Sequence, residues 1–199
     1  MDDTRCHDYA WEMGRWQPDA RGRLQAAAWA LYGEQGYDST TVAEIAERAG
    51  LTKRTFFRHF ADKREVLFSG AQELEQLFVS EVARAPDSSS PLEAVAGALD
   101  AVAAMFEGGR AYAAVRQQII AANPELQERE LIKLASLAGA VAEALRRRGV
   151  PDSAAALTAE AAIAVFRVAF ERWVEPGNRL ELDAVIRDAL AELRAVTAG

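Results

Sequence analysis

The residues best equipped for chemistry lie within one short stretch of this chain. Lys53-Arg54-Thr55-Phe56-Phe57-Arg58-His59-Phe60 gathers three strong cations, a hydroxyl, an imidazole and three aromatic rings. At helical spacing Phe56 and Phe60 share one face, where Leu31, Ile45 and Ala46 are expected to join them in a small core. Lys53, Arg54, Thr55, Phe57 and Arg58 are then left outward or at the N-terminal end. Such a face suits a DNA major groove: arginine can bridge guanine O6 and N7, lysine can reach guanine or phosphate, and threonine can meet a phosphate or a thymine methyl. The competing reading of the three cations is a solvated helix face. His59 has two readings, a phosphate contact or a cap on its own short helix.

Catalytic constellations are absent from the sequence. The histidines are His7 and His59, and the single cysteine, Cys6, adjoins His7 at no metal-ligand spacing. No glycine-rich phosphate loop, G-x-S-x-G or H-E-x-x-H occurs. The carboxylates of the C-terminal part sit at helix-surface spacings beside arginines. The expectation is a protein that is not an enzyme and holds no cofactor or metal.

The elements that must position the basic stretch follow from periodicity. Leu24, Ala27, Ala28 and Leu31 mark one face of a helix over 20–35, ended by Gly36. Thr40 or Thr41 can cap the next helix, which carries Val42, Ile45, Ala46 and Ala49; if Thr41 is the cap, Glu44 three residues later completes a capping box. Gly50-Leu51-Thr52 forms a turn, and the second helix covers 53–59. Two short helices around a glycine turn, the second basic, are a helix-turn-helix pattern. The helix starts at 41 and 63 offer N–H groups to phosphates, with Thr41 and Lys63 assisting. Asp62 caps a helix expected to run unbroken to about Ala85, a natural lever between domains. After the linker Pro86–Pro91, helices are expected over 92–106, 110–121, 125–148, 152–175 and 181–196, separated by Gly108-Gly109, Asn123-Pro124, Gly149-Val150-Pro151 and Pro176-Gly177-Asn178.

Composition agrees with an all-α chain. Half of the 199 residues are hydrophobic, alanine is abundant and β-branched residues rarely cluster. The net charge of −7 hides an asymmetry, because residues 21–68 carry eight Lys/Arg against six Asp/Glu while the rest is acidic. No run of 18 apolar residues lacks a charge, and the N-terminus has no apolar signal segment, so the expectation is a cytoplasmic protein without a membrane partner. Residues 1–19, with Trp11 and Trp16, read as a tail or arm. Arg15, Arg21 and Arg23 are either DNA-contacting members of such an arm or scattered charges.

The stretch TTVAEIAERAGLTKRTFFRHFADKREVLF resembles the DNA-binding segment of the tetracycline-repressor (TetR) family. The likeness covers about residues 20–70 and is carried by Gly36-Tyr37, Thr40-Thr41, Ile45-Ala46, Ala49-Gly50, Phe57-Arg58-His59-Phe60 and Asp62-Lys63. It implies an N-terminal three-helix DNA-binding domain, 20–68, and a helical effector-binding and dimerisation domain, 69–199. It further implies that Thr41 contacts phosphate, that Lys53, Arg54 and Thr55 sit at base edges, and that Phe57, Arg58, His59 and Lys63 clamp the backbone or reach nearby bases. One departure is visible: members of the family often have tyrosine where Phe57 stands, and Phe57 has no hydroxyl to give a phosphate. The partners implied are double-stranded operator DNA, a second copy of the chain and an unidentified small-molecule effector. The function expected is a ligand-responsive repressor on a palindromic operator. An activator on the same fold and a helical binder or enzyme with a vestigial DNA segment are the rivals.

For the effector, Met105, Phe106, Tyr112, Arg116, Ile119, Phe166 and Phe170 are candidate pocket residues, with Gln117, Asn123 and Arg167 as further polar candidates. For the dimer, the alanine-rich helix 152–175 and the last helix suggest Ala155, Ala159, Ala162, Trp173, Ile186 and Leu190. Ordinary core packing is the alternative for both sets.

Overall fold

The computed structural model describes residues 20–198, whose regular structure is helical throughout, in ten helices. The expectations for Arg15, Trp11, Trp16 and the 1–19 arm lie outside the described residues. The chain divides into two compact units at Leu67/Phe68.

The first unit holds α1 (Ala20–Gln35), α2 (Val42–Arg48), α3 (Lys53–His59) and α4 (Lys63–Leu67). Its interior is Leu24, Ala28, Leu31, Tyr32, Ile45, Ala46, Phe56, Phe60 and Val66, all buried. Phe56 and Phe60 lie 5.5 Å apart, as their four-residue spacing dictates. Helix α2 is too short to hold itself together by propensity. The Thr41–Glu44 capping box starts it, and a Schellman arrangement ends it: the Leu51 N–H donates to Ala46 O at 2.8 Å and the Gly50 N–H to Glu47 O at 2.9 Å. Gly50 has φ of 64°, the left-handed conformation such an end requires. A methyl at Gly50 would also meet the Arg23 guanidinium at 2.8 Å.

The second unit contains α5 (Ala71–Arg84), α6 (Pro91–Met105), α7 (Arg110–Ala122), α8 (Pro124–Arg147), α9 (Asp152–Val174) and α10 (Leu182–Thr197). Helix α9 is central and packs on α6, α7, α8 and α10, while α5 packs on α6 and α8. Phe78, Leu99, Val141, Leu145, Phe166, Ala169 and Ile186 run through the shared core. By length and composition α9 is the one helix among the described residues able to cross a bilayer, yet Ala155, Ala159, Ala162, Ile163, Phe166, Ala169 and Phe170 serve this core. The Pro86–Pro91 linker is a loop inside the second unit, held by the Arg148 guanidinium on Ala85 O and Pro86 O at 2.6 and 2.7 Å.

The expected unbroken helix from 62 to 85 is corrected. It is two helices, α4 and α5, with a turn at Phe68-Ser69-Gly70. Serine and glycine are poor helix interiors, and Gly70 instead occupies the N-cap of α5. The lever inferred from one rigid rod is therefore interrupted where the two units meet in sequence.

Candidate nucleic-acid interface

The geometry of α3 sorts its side chains cleanly. Thr52 caps the helix by accepting the Thr55 N–H at 3.1 Å, and the two threonine hydroxyls are 3.0 Å apart. Phe56 and Phe60 are buried; Lys53, Arg54, Phe57 and Arg58 are exposed, Phe57 to 57%; Thr55 and His59 lie half-buried between the two sets. An exposed phenylalanine beside three cations is an unusual surface for a helix with nothing to bind.

Partners distinguish these cations from their neighbours. Arg23 donates to Ala49 O at the end of α2. Arg48 forms a two-pronged pair with Glu34, at 2.9 and 2.6 Å, and Arg64 pairs with Asp62 at 2.9 Å. Arg21 lies over the Phe60 ring. Lys53, Arg54 and Arg58 have neither a carboxylate nor a carbonyl partner among the described residues. Their charge is uncompensated, as a phosphate-facing or base-facing set must be.

Two expected phosphate anchors are occupied internally. The Lys63 ammonium donates to Tyr37 O, Asp38 O and Thr40 O at 2.8, 3.2 and 3.0 Å and sits 4.3 Å from the Tyr37 ring centre. An ammonium has three donors, and all three are used. The Thr41 hydroxyl donates to Glu44 Oε2 at 2.8 Å while accepting the Glu44 N–H at 3.3 Å. One N–H at the start of α4 is likewise taken, because Asp62 Oδ1 accepts the Glu65 N–H at 3.0 Å. Arg21 and Arg23 are also reassigned from an arm to helix α1. Among the described residues His59 makes no capping hydrogen bond, and its Nε2 is buried without a partner. Sequence reasoning missed Arg23, which ties α1 to the helix-turn-helix. Nothing in the local pattern marks one arginine at a helix start as a distant carbonyl's donor.

The residues expected to line an effector pocket do not converge. Phe106, Phe166 and Phe170 meet in an aromatic cluster with Trp173, with ring centres 5.3 to 6.2 Å apart. Met105 and Tyr112 are exposed, and Ile119 is half-buried. Arg116 pairs with Glu130 at 2.8 Å and stacks on Phe68, Asn123 donates to Ile119 O at 2.7 Å, and the exposed Arg167 lies 3.4 Å from Glu171. Gln117 is half-buried on α7. A cleft of about 480 Å³ in the second unit opens elsewhere, between the end of α6, Trp173 and the start of α10. Of the expected set only Phe106 borders it.

The six expected dimer residues are corrected as well. Ala155, Ala159, Ala162, Trp173, Ile186 and Leu190 are all buried within this one chain's core. Small residues allow close helix approach within a subunit as readily as between subunits. Here α9 packs Ala155, Ala159 and Ala162 against its own neighbours.

A helix-turn-helix whose second helix bears unpaired cations, joined in sequence to a six-helix unit, defines a DNA-binding regulator by class. Comparison with known proteins makes that specific. Residues 24–69 match the model of bacterial regulatory proteins of the tetR family, and residues 89–198 match the MftR C-terminal domain. The chain belongs to the TetR family of transcriptional regulators. Among curated relatives it is similar to the HTH-type transcriptional regulator TcmR of Streptomyces glaucescens, 38% identical over 89 residues, which are 45% of this chain and 39% of TcmR. The curated relatives are each matched over less than half of their own length. Among solved structures, the Thermus thermophilus repressor FadR in complex with lauroyl-CoA aligns at a TM-score of 0.59 and 24% identity, covering 87% of this chain and 92% of that one. SmeT, the repressor of the Stenotrophomonas maltophilia efflux pump SmeDEF, aligns at 0.59 and 21%, covering 88% and 89%. Both share the fold.

Proposed function

We propose that this protein is a ligand-responsive repressor acting in the cytoplasm, which binds a palindromic operator as a homodimer and places one α3 in each of two major grooves. The observation that carries this reading is the unpaired set Lys53, Arg54 and Arg58 on an exposed helix face otherwise free of acids. With Thr55 they form the base-reading edge, and the Phe57 ring lies against a sugar or a thymine methyl. His59 flanks this edge. Thr41 and Lys63 serve from behind it, fixing the loop before α2 rather than spending their own donors on phosphate. The protein is not an enzyme in this reading, and its C-terminal unit takes a small-molecule effector that binds the DNA-competent and released states unequally.

The homodimer is supported by the outward side of α9. Ala154, Leu157, Ala161, Ala164 and Val168 follow one another at spacings of three and four. Ala154, Leu157 and Ala164 are exposed, Leu157 to 72%. That spacing is the seam of a helix pair, and small residues let two copies approach closely.

The test removes the reading charges. R54A/R58A should melt as the wild type does and lose at least about thirtyfold in affinity for a duplex selected by the wild type. Undiminished affinity would overturn the assignment of α3. The position of the operator relative to the promoter decides between repression and activation.

A further inference from the structure

Both ends of the reading helix α3 are held from α1 by hydrogen bonds to backbone carbonyls. Just before α3 begins, the Ala49 carbonyl at the end of α2 accepts from the Arg23 guanidinium. Just after α3 ends, the Lys63 carbonyl at the start of α4 accepts from the Tyr32 hydroxyl at 2.9 Å. By helical spacing Arg23 and Tyr32 flank, on opposite sides, the α1 face that buries Leu24, Ala28 and Leu31. The helical rise separates them by about 13 Å along α1.

Each grip is built for its place. The Arg23 cation meets the carbonyl end of α2, where the helix dipole favours positive charge. Gly50, next to Ala49, leaves room for it, since a methyl there would meet the guanidinium at 2.8 Å. Tyr32 is 3% exposed, so its bond is sheltered from competing water. Apolar burial holds α3 without setting its direction, whereas a hydrogen bond is steep in distance and angle. Two such bonds, on opposite flanks of one helix, fix the tilt and the roll of α3 together.

We infer that Arg23 and Tyr32 are positioning residues for DNA reading: they hold the two carbonyls that flank α3 and thereby set how its side chains meet base edges. The inference rests on α3 as the reading helix. Base-edge hydrogen bonds tolerate little reorientation, while attraction to phosphate is long-ranged and tolerates more. Loosening either grip therefore lowers discrimination between sequences rather than general affinity for DNA.

Fluorescence anisotropy of the full chain separates this role from others, using a duplex selected by the wild type and a scrambled duplex of equal length, each over a salt series. Stoichiometric titration fixes the active fraction, below the melting temperature of every variant. R23M keeps the apolar stem and removes the donor; it should weaken the selected duplex about tenfold or more. Y32F keeps the ring and should weaken it about threefold. Both should leave the scrambled duplex within about twofold and the salt slope unchanged. R23K, which restores a cationic donor, should recover most of the R23M loss. Equal losses on the two duplexes, a salt slope shallower by about one, or no loss at all would overturn the positioning role. R54A/R58A is the reference. If it loses the selected duplex while R23M and Y32F do not, α3 stands as the reading helix and the positioning falls; if it loses nothing, both fall.

Discussion

Individual side chains divide between those that read and those that support, and the division follows from where their donors go. Lys63 illustrates the supporting kind. K63M removes a charged donor from three carbonyls at once and should lower the stability of the first unit by about 1–3 kcal/mol, visible as a reduced melting temperature. A lysine whose work is phosphate binding would instead leave melting unchanged and reduce the salt slope by about one. Phe57 illustrates the reading kind. F57Y adds an exposed hydroxyl beside three cations that have no partner among the described residues and should tighten DNA binding about two- to tenfold, measured by anisotropy on a labelled duplex. Weaker binding would show the ring in a dry apolar contact. The residue types and their spacing made the reading face legible in the sequence, including the burial of Phe56 and Phe60. They could not show that Lys63 and Thr41 are already engaged, because those partners are carbonyls and a carboxylate placed by the turn.

At the scale of elements, short helices depend on their ends. Glu44 and Glu93 are held below the ordinary glutamate range chiefly by the Thr41 and Ser90 hydroxyls that they serve as capping boxes. Glu34 and Glu192 are lowered chiefly by hydrogen bonds from Arg48 and Arg172. Each carboxyl is more acidic folded than unfolded, so its contribution is complete above the ordinary carboxylate range and is lost as pH falls through the folded value. Melting temperature should hold steady near neutrality and decline once pH drops below about 4; a rise on acidification would contradict the capping account. Helix positions were largely legible, since glycines, prolines and caps mark them. The break at Ser69-Gly70 was missed because the apolar pattern on either side continues in phase. The cleft was illegible for another reason: its carboxylates belong to two segments distant in sequence, and each one alone looks like a solvated face.

At the scale of the whole molecule, the family's two-part plan explains the uneven charge, with the reading helix basic and the rest of the chain acidic. The alanines of α9 pointed toward a partner in the sequence, yet the buried ones serve the core, and the outward stripe around Leu157 is what remains for a second copy. The central claim is that two chains read an inverted repeat through α3, and selection from random double-stranded DNA at moderate salt tests it directly. The selected duplexes should carry an inverted repeat with half-sites about one helical turn apart, or a multiple of it. They should bind two chains each, with affinity falling steeply as salt rises. L157D should still fold but bind such a duplex far more weakly. Recovery of no inverted repeat above the random background, or full-affinity binding by a single chain, would contradict the account.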